Sequence, residues 1–147
     1  MSGVTLTVRQ QAVQAALARL AGAAQDPAPA LRSLGVLLVR NTRNRIVAEG
    51  PAPDGTAWPR LAAATRKRKR GPGMLRERAM RGGLMASLTS QVDGRRLRVG
   101  TNKIYAATHQ FGRDAIPARA FLGISEEDQR DIVEVLADHM RRALARR

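Results

Sequence analysis

The sequence predicts an α+β domain, with a small antiparallel sheet (an N-terminal strand plus a hairpin) packed against two N-terminal helices and a long C-terminal helix. Three observations predict it. Gly3 to Val8 alternates apolar and polar residues, the period of a half-buried strand. Asp93-Gly94 lies between two short runs that read as strands, a strong hairpin signal. Apolar residues recur at helical spacing before residue 48 and after residue 126.

The first strand is short, with Val4, Leu6 and Val8 alternating with Thr5 and Thr7. From Arg9 the period changes. Val13, Ala16, Leu17, Leu20 and Ala24 share a helical face, and Asp26-Pro27-Ala28-Pro29 ends that helix. A second helix is expected from about Ala30 to Ala48. Its face holds Leu31, Leu34, Leu38 and Ile46, broadened by Val36, Leu37 and Val39. Arg40, Arg43 and Arg45 near its end suit the helix dipole, and Gly50-Pro51 stops it.

Pro51 to Trp58 reads as a turn-rich loop around Asp54-Gly55, with Trp58, the single Trp, plugging it into the core. A basic run follows, either on a short helix or in a loop, and then Gly71-Pro72-Gly73 breaks the chain. Met74 to Met80 has the composition of another helical turn. "LMASL" leads into the hairpin, whose strands are expected at Ser87 to Val92 and Arg96 to Gly100. Ile104 to Gly112 is open between helix and strand. Ile116 to Gly123 reads as extended, since Pro117 blocks helix. The last helix is the clearest element. Ser125 is its N-cap, acids fill its first turn, and Ile132, Leu136, Met140 and Leu144 repeat on one face beside Val133 and Val135. No internal repeat or domain boundary is visible. The chain reads as one domain, 1–147, with a basic flexible loop at about 64–82.

Composition narrows the function classes. Apolar residues make up 44% of the 147, enough for a core, but aromatics only 3%. A core of Leu, Val, Ile and Ala buries less area per residue, so modest stability and help from partner subunits are expected. The net charge is +14, and residues 66–81 carry eight bases against one acid, Glu77. Half of the 12 acids lie instead between Glu126 and Asp138. This asymmetry points to a polyanion or an acidic protein surface. The preference for Arg over Lys fits ionic interfaces, and a genome rich in G and C gives the same bias. Without Cys, disulfides, Cys-based zinc sites and thiol catalysis are excluded. No signal peptide is visible, and the longest apolar run, 34–39, is too short to span a bilayer. No membrane association is expected, and the chain is expected to be soluble and intracellular where it is made.

A search for chemistry finds little. His109 and His139 have no neighbour at metal-ligand spacing. Ser87, His109 and Asp114 offer the residue types of a triad, but nothing places Ser87 on a nucleophile elbow. The acids of the last helix read as a solvated face. No phosphate-binding Gly loop is present. Neither an enzyme nor a cofactor is expected. The basic residues Arg66, Lys67, Arg68, Lys69, Arg70, Arg76, Arg78 and Arg81 remain as a contact for DNA phosphates or for an acidic partner, against a solvated loop. No aromatic interleaves with them and no helix-turn-helix accompanies them, so base stacking and sequence-specific readout are not expected.

"PDGTAW" (53–58), "GGLMASL" (82–88), "VGTNKIYAATHQFG" (99–112) and "IPARAFLGISEED" (116–128) occur in this order. With them the chain resembles the phage virion morphogenesis, or tail-completion, family of Mu-like phages over nearly its whole length. It departs where the family often has Thr or Ser: Gly82, preceded by Arg81, stands there. The resemblance implies a structural virion protein of the neck or tail, made in the host cytoplasm. It would complete the head-proximal end of the tail and help join it to the filled head. It also implies a hexameric ring, with tail terminator or tail tube and head-completion or connector proteins as partners, and no catalytic site. The alternative is a non-specific nucleic-acid-binding protein acting through 66–81. Trp58, Tyr105, Phe111, Arg119, Phe121 and Leu122 are candidate interface anchors. The competing reading of Phe121 and Leu122 is that they cap the core under the final helix.

Overall fold

The computed structural model describes residues 4–6, 25–69, 73–76 and 83–145. The helix expected between Arg9 and Ala24 lies outside the described residues, as do Arg70, Arg78 and Arg81. The elements run β1 (Val4–Leu6), α1 (Ala28–Val47), α2 (Ala63–Arg68), α3 (Leu84–Ser87), β2 (Thr89–Asp93), β3 (Arg96–Gly100), α4 (Ala106–Phe111) and α5 (Glu126–Ala145). The α+β class with a long C-terminal helix stands.

The sheet has three antiparallel strands in the order β1-β3-β2. β3 is central because both neighbours pair with it: Val4 faces Val99, and Val92 faces Leu97. The hairpin closes one residue later than expected. Asp93 still pairs with Arg96, so the two-residue loop is Gly94-Arg95, with Gly94 at φ 57. A two-residue loop needs positive φ at its first position, and Gly supplies it there. Ser87 is helical rather than the start of a strand, because α3 occupies 84–87.

α1 starts two residues before the expected Ala30, with Pro27 as its cap residue and the Asp26 carboxylate accepting from the Ala28 N–H at 3.0 Å. Leu34, Leu37, Leu38, Val39 and Ile46 are buried. Val36 is 70% exposed, which corrects its place on the buried face. Two residues on from Leu34, at 100° each, it has turned to the opposite side of the helix. Gly35 is where α1 meets the hairpin. A Cβ there would lie 2.5 Å from the Ser90 Oγ, so only glycine admits this approach.

One core joins α1 to Leu97 and Val99 of the sheet, Leu84 and Leu88 around α3, Trp58 and Ala52 of the loop, Phe121 and Leu122, and Ile132 of α5. Val133 of α5 is 56% exposed, so it stands outside the apolar stripe on which it was expected. Ile104 to Gly112 resolves as the short helix α4 with its entry turn. Ile116 to Gly123 is neither helix nor sheet strand, and one isolated bridge joins Arg113 to Ile116. Of the two readings of the basic run, Ala63–Arg68 takes the short helix. Its Ala, Arg and Lys residues are strong helix formers. Residues 73–76 form a turn tied to the body: the Met74 N–H donates to Glu49 at 3.0 Å and Leu75 is buried.

Candidate interaction surface

The stretch from His109 to Asp128 has little regular structure before α5, so its backbone groups need side-chain partners. Gln110 supplies three bonds. Its Oε1 accepts from the N–H groups of Phe121 (3.1 Å) and Leu122 (3.0 Å), and its Nε2 donates to the Leu122 carbonyl at 2.9 Å. The Trp58 Nε1 donates to the Ala120 carbonyl at 2.9 Å. The Arg119 N–H donates to the His109 carbonyl, while its guanidinium donates to the carbonyls of Pro59 (2.7 Å) and Arg60 (3.0 Å). Gly112, at φ 74, lets α4 turn back into this loop. A Cβ there would lie 2.9 Å from the Ala118 nitrogen.

Beneath the loop lies an ion pair. Arg45 of α1 donates to the Phe121 carbonyl at 2.7 Å and to the Asp128 carboxylate at 2.9 Å. Both side chains are almost fully removed from solvent. Asp128 also accepts from Asn41 (2.8 Å) and from the Ser125 N–H (2.9 Å), and its own N–H donates to the Ser125 hydroxyl at 3.0 Å. Ser125 and Asp128 thus form a reciprocal cap on α5. Burial works against the charged carboxylate. The Ser125 and Asn41 hydrogen bonds, with the Arg45 charge, outweigh it and hold Asp128 below the usual carboxylate range. Burial lowers the Arg119 guanidinium from its ordinary value.

These contacts redistribute the expected site residues. Phe121 is 0% exposed, and Trp58, Leu122 and Arg119 are also buried. They hold the chain to itself: Trp58 plugs its loop into the core and Phe121 and Leu122 cap the core, while Arg119, expected beside them at an interface, is the inner member of a clasp. Tyr105 and Phe111 are exposed, Phe111 at 76%. Ile104 (95%) and Ile116 (47%) are also exposed, so apolar side chains stand in solvent before, at the end of and after α4. Arg66, Lys67 and Arg68 project from the exposed surface of α2, while Lys69 donates to the Arg76 carbonyl.

The structure does not bring Ser87, His109 and Asp114 together as a triad. The Ser87 hydroxyl bonds the Leu84 carbonyl (2.7 Å) and Thr101 (2.5 Å), and Asp114 lies exposed beside Arg113. His139 pairs with Ser33 at 3.0 Å. Among the described residues no cluster of three His, Cys, Asp or Glu is placed to hold a metal, and no helix is long and apolar enough to cross a membrane.

Asn41, Arg45, Gln110 and Asp128 escaped the sequence reading. Asp128 corrects the view of the α5 acids as one solvated face. The signal available for it was its place three residues after Ser125, the inner corner of a capping box. Nothing in the sequence marked Arg45 among three similar arginines.

No solved structure matches the chain. Two other comparisons agree with each other. The chain is 36% identical over 137 residues to the Mu-like prophage FluMu G protein 2 of Haemophilus influenzae, covering 88% of this chain and 89% of that protein. A model of the phage virion morphogenesis family matches residues 8–141. This chain therefore belongs to the phage virion morphogenesis family, with a structural part in virion assembly.

Proposed function

We propose that this chain is a structural connector at the head-proximal end of the phage tail. It completes the tail and helps join it to the DNA-filled head as one subunit of a hexameric ring. Tail terminator or tail tube lies on one side and head-completion or connector proteins on the other. Family membership over residues 8–141 carries this reading. The large apolar side chains exposed around α4, Ile104 at 95% and Phe111 at 76%, support it as candidate contact points for a partner. The test is a phage unable to make the chain. Heads and tails should accumulate unjoined on electron micrographs, and the chain should return with the joined particles on complementation. Connected, infectious particles in its absence would overturn the proposal.

Exposed Arg66, Lys67 and Arg68 favour one other reading, a free nucleic-acid-binding protein. As a connector the chain touches DNA weakly and without sequence preference, because the genome must slide past. The purified protein should then show no duplex retardation near about 150 mM salt. Tight binding there, abolished by neutralising Arg66 to Arg70, would favour the alternative.

A further inference from the structure

Hydrogen bonds link α4 to the segment that leads into the basic helix. Arg119 bonds His109 of α4 through its N–H and the Pro59 and Arg60 carbonyls through its guanidinium. Exposed Arg60 is thereby tied through Arg119 to α4, and α2, with exposed Arg66, Lys67 and Arg68, begins three residues later in the sequence. Exposed Ile104, Phe111 and Ile116 flank α4, and the cations follow in the segment that Arg119 ties to it. Such a surface selects an occupant that is acidic around an apolar centre.

The outer face of α5 has that character. Glu126, Glu127 and Glu134 are exposed there, and so is Val133. Residues 126 and 133, and 127 and 134, are two turns apart and share a side of the helix. Arg130 is the cation among them, so the first half of the helix, 126–134, presents a net acidic face, while exposed Arg141 and Arg142 lie further along it.

We propose that the α4–α2 surface of one copy docks on the outer face of α5 of the next copy. This rests on the ring reading above and supplies its interface. A chain of net charge +14 repels a copy presented basic side to basic side. Pairing the two unlike surfaces brings opposite charges together. The contact is therefore head-to-tail, the kind that repeats from subunit to subunit and closes when the rotation allows.

Charge reversal tests it in phage particles. R66E/K67E/R68E and E127K/E134K change exposed residues, so each purified variant should keep the wild-type circular dichroism. Supplied singly to phage lacking the chain, each should abolish the ring and reduce infectious titre to that of the deletion. Supplied together they should restore both, because every contact then pairs unlike charges in an alternating ring. Since the chain has no cysteine, F111C/V133C treated with a short bismaleimide in wild-type-like particles should give a ladder of covalent multimers. Single variants that assemble normally, co-expression without rescue, or a missing ladder around an intact ring would each overturn this interface and leave the ring standing. Wild-type particles with no ring would remove both proposals.

Discussion

Arg119 and Arg66 carry the same side chain into opposite environments. Arg119 is 5% exposed, with its guanidinium on two backbone carbonyls of a neighbouring loop. Arg66 stands on α2 in solvent, beside Lys67 and Arg68. The aromatics divide in the same way. Phe121 is sealed in the core, whereas Phe111, one residue beyond the clasp residue Gln110, is 76% exposed. The clasp residues Gln110, Arg119 and Asp128 therefore direct their polar groups inward and hold shape. The surface of α4 and α2 leaves apolar and charged groups facing outward. In a protein that acts by assembly, the first region is where substitutions unfold the subunit, and the second is where they unmake the assembly.

The largest effect separating the two regions should come from Asp128→Ala. It strips Arg45 of its buried carboxylate and α5 of its cap, and should cost about 3–5 kcal/mol in urea unfolding. A loss no larger than that of a surface substitution would break the comparison. Gln110→Ala comes next. It orphans the Phe121 and Leu122 N–H groups and the Leu122 carbonyl, and about 1–3 kcal/mol is expected from the same measurement.

Acid should act more mildly, with one component that comes from the clasp. The Asp128 carboxyl is lowered in the folded chain, so its contribution is fully present above the unfolded pKa of about 3.9. It fades as pH falls through the folded value beneath that. Stability measured against pH should show this component in the wild type, and Asp128→Asn should lack it. A loss beginning well above that range would assign the acid sensitivity elsewhere. The smallest effects on folding belong to the outer surface. Ile104→Ser, Phe111→Ser and Arg66→Ala should each stay within about 0.5 kcal/mol of wild type while particle assembly suffers. Destabilisation as large as that of Gln110→Ala would place these residues with the clasp.

Much of this molecule was legible from local pattern. The α1 boundaries agree to within two residues, β3 has its expected limits, and Ser125 caps α5 as its side-chain chemistry demands. These follow from interactions between residues near in sequence, such as periodicity, breakers and caps. The interface reading of these residues competed with a core reading for a physical reason. An aromatic beside an arginine describes both an interface centre and a loop folded on its own core, as Arg119 and Phe121 do. Val36 and Val133 misled differently, since an apolar residue type does not state which way the helix is turned.

Local chain chemistry alone settled that this polypeptide forms long amphipathic helices around a hairpin, carries its charge unevenly and has the motifs of a virion-assembly family. The fold decided which identical side chains became structure and which became surface. Arg45 reaches Asp128 across 83 positions of sequence, and Trp58 reaches Ala120 across 62. Whether a guanidinium meets a buried carbonyl or open water depends on what the rest of the chain places around it, and residue type does not encode those surroundings.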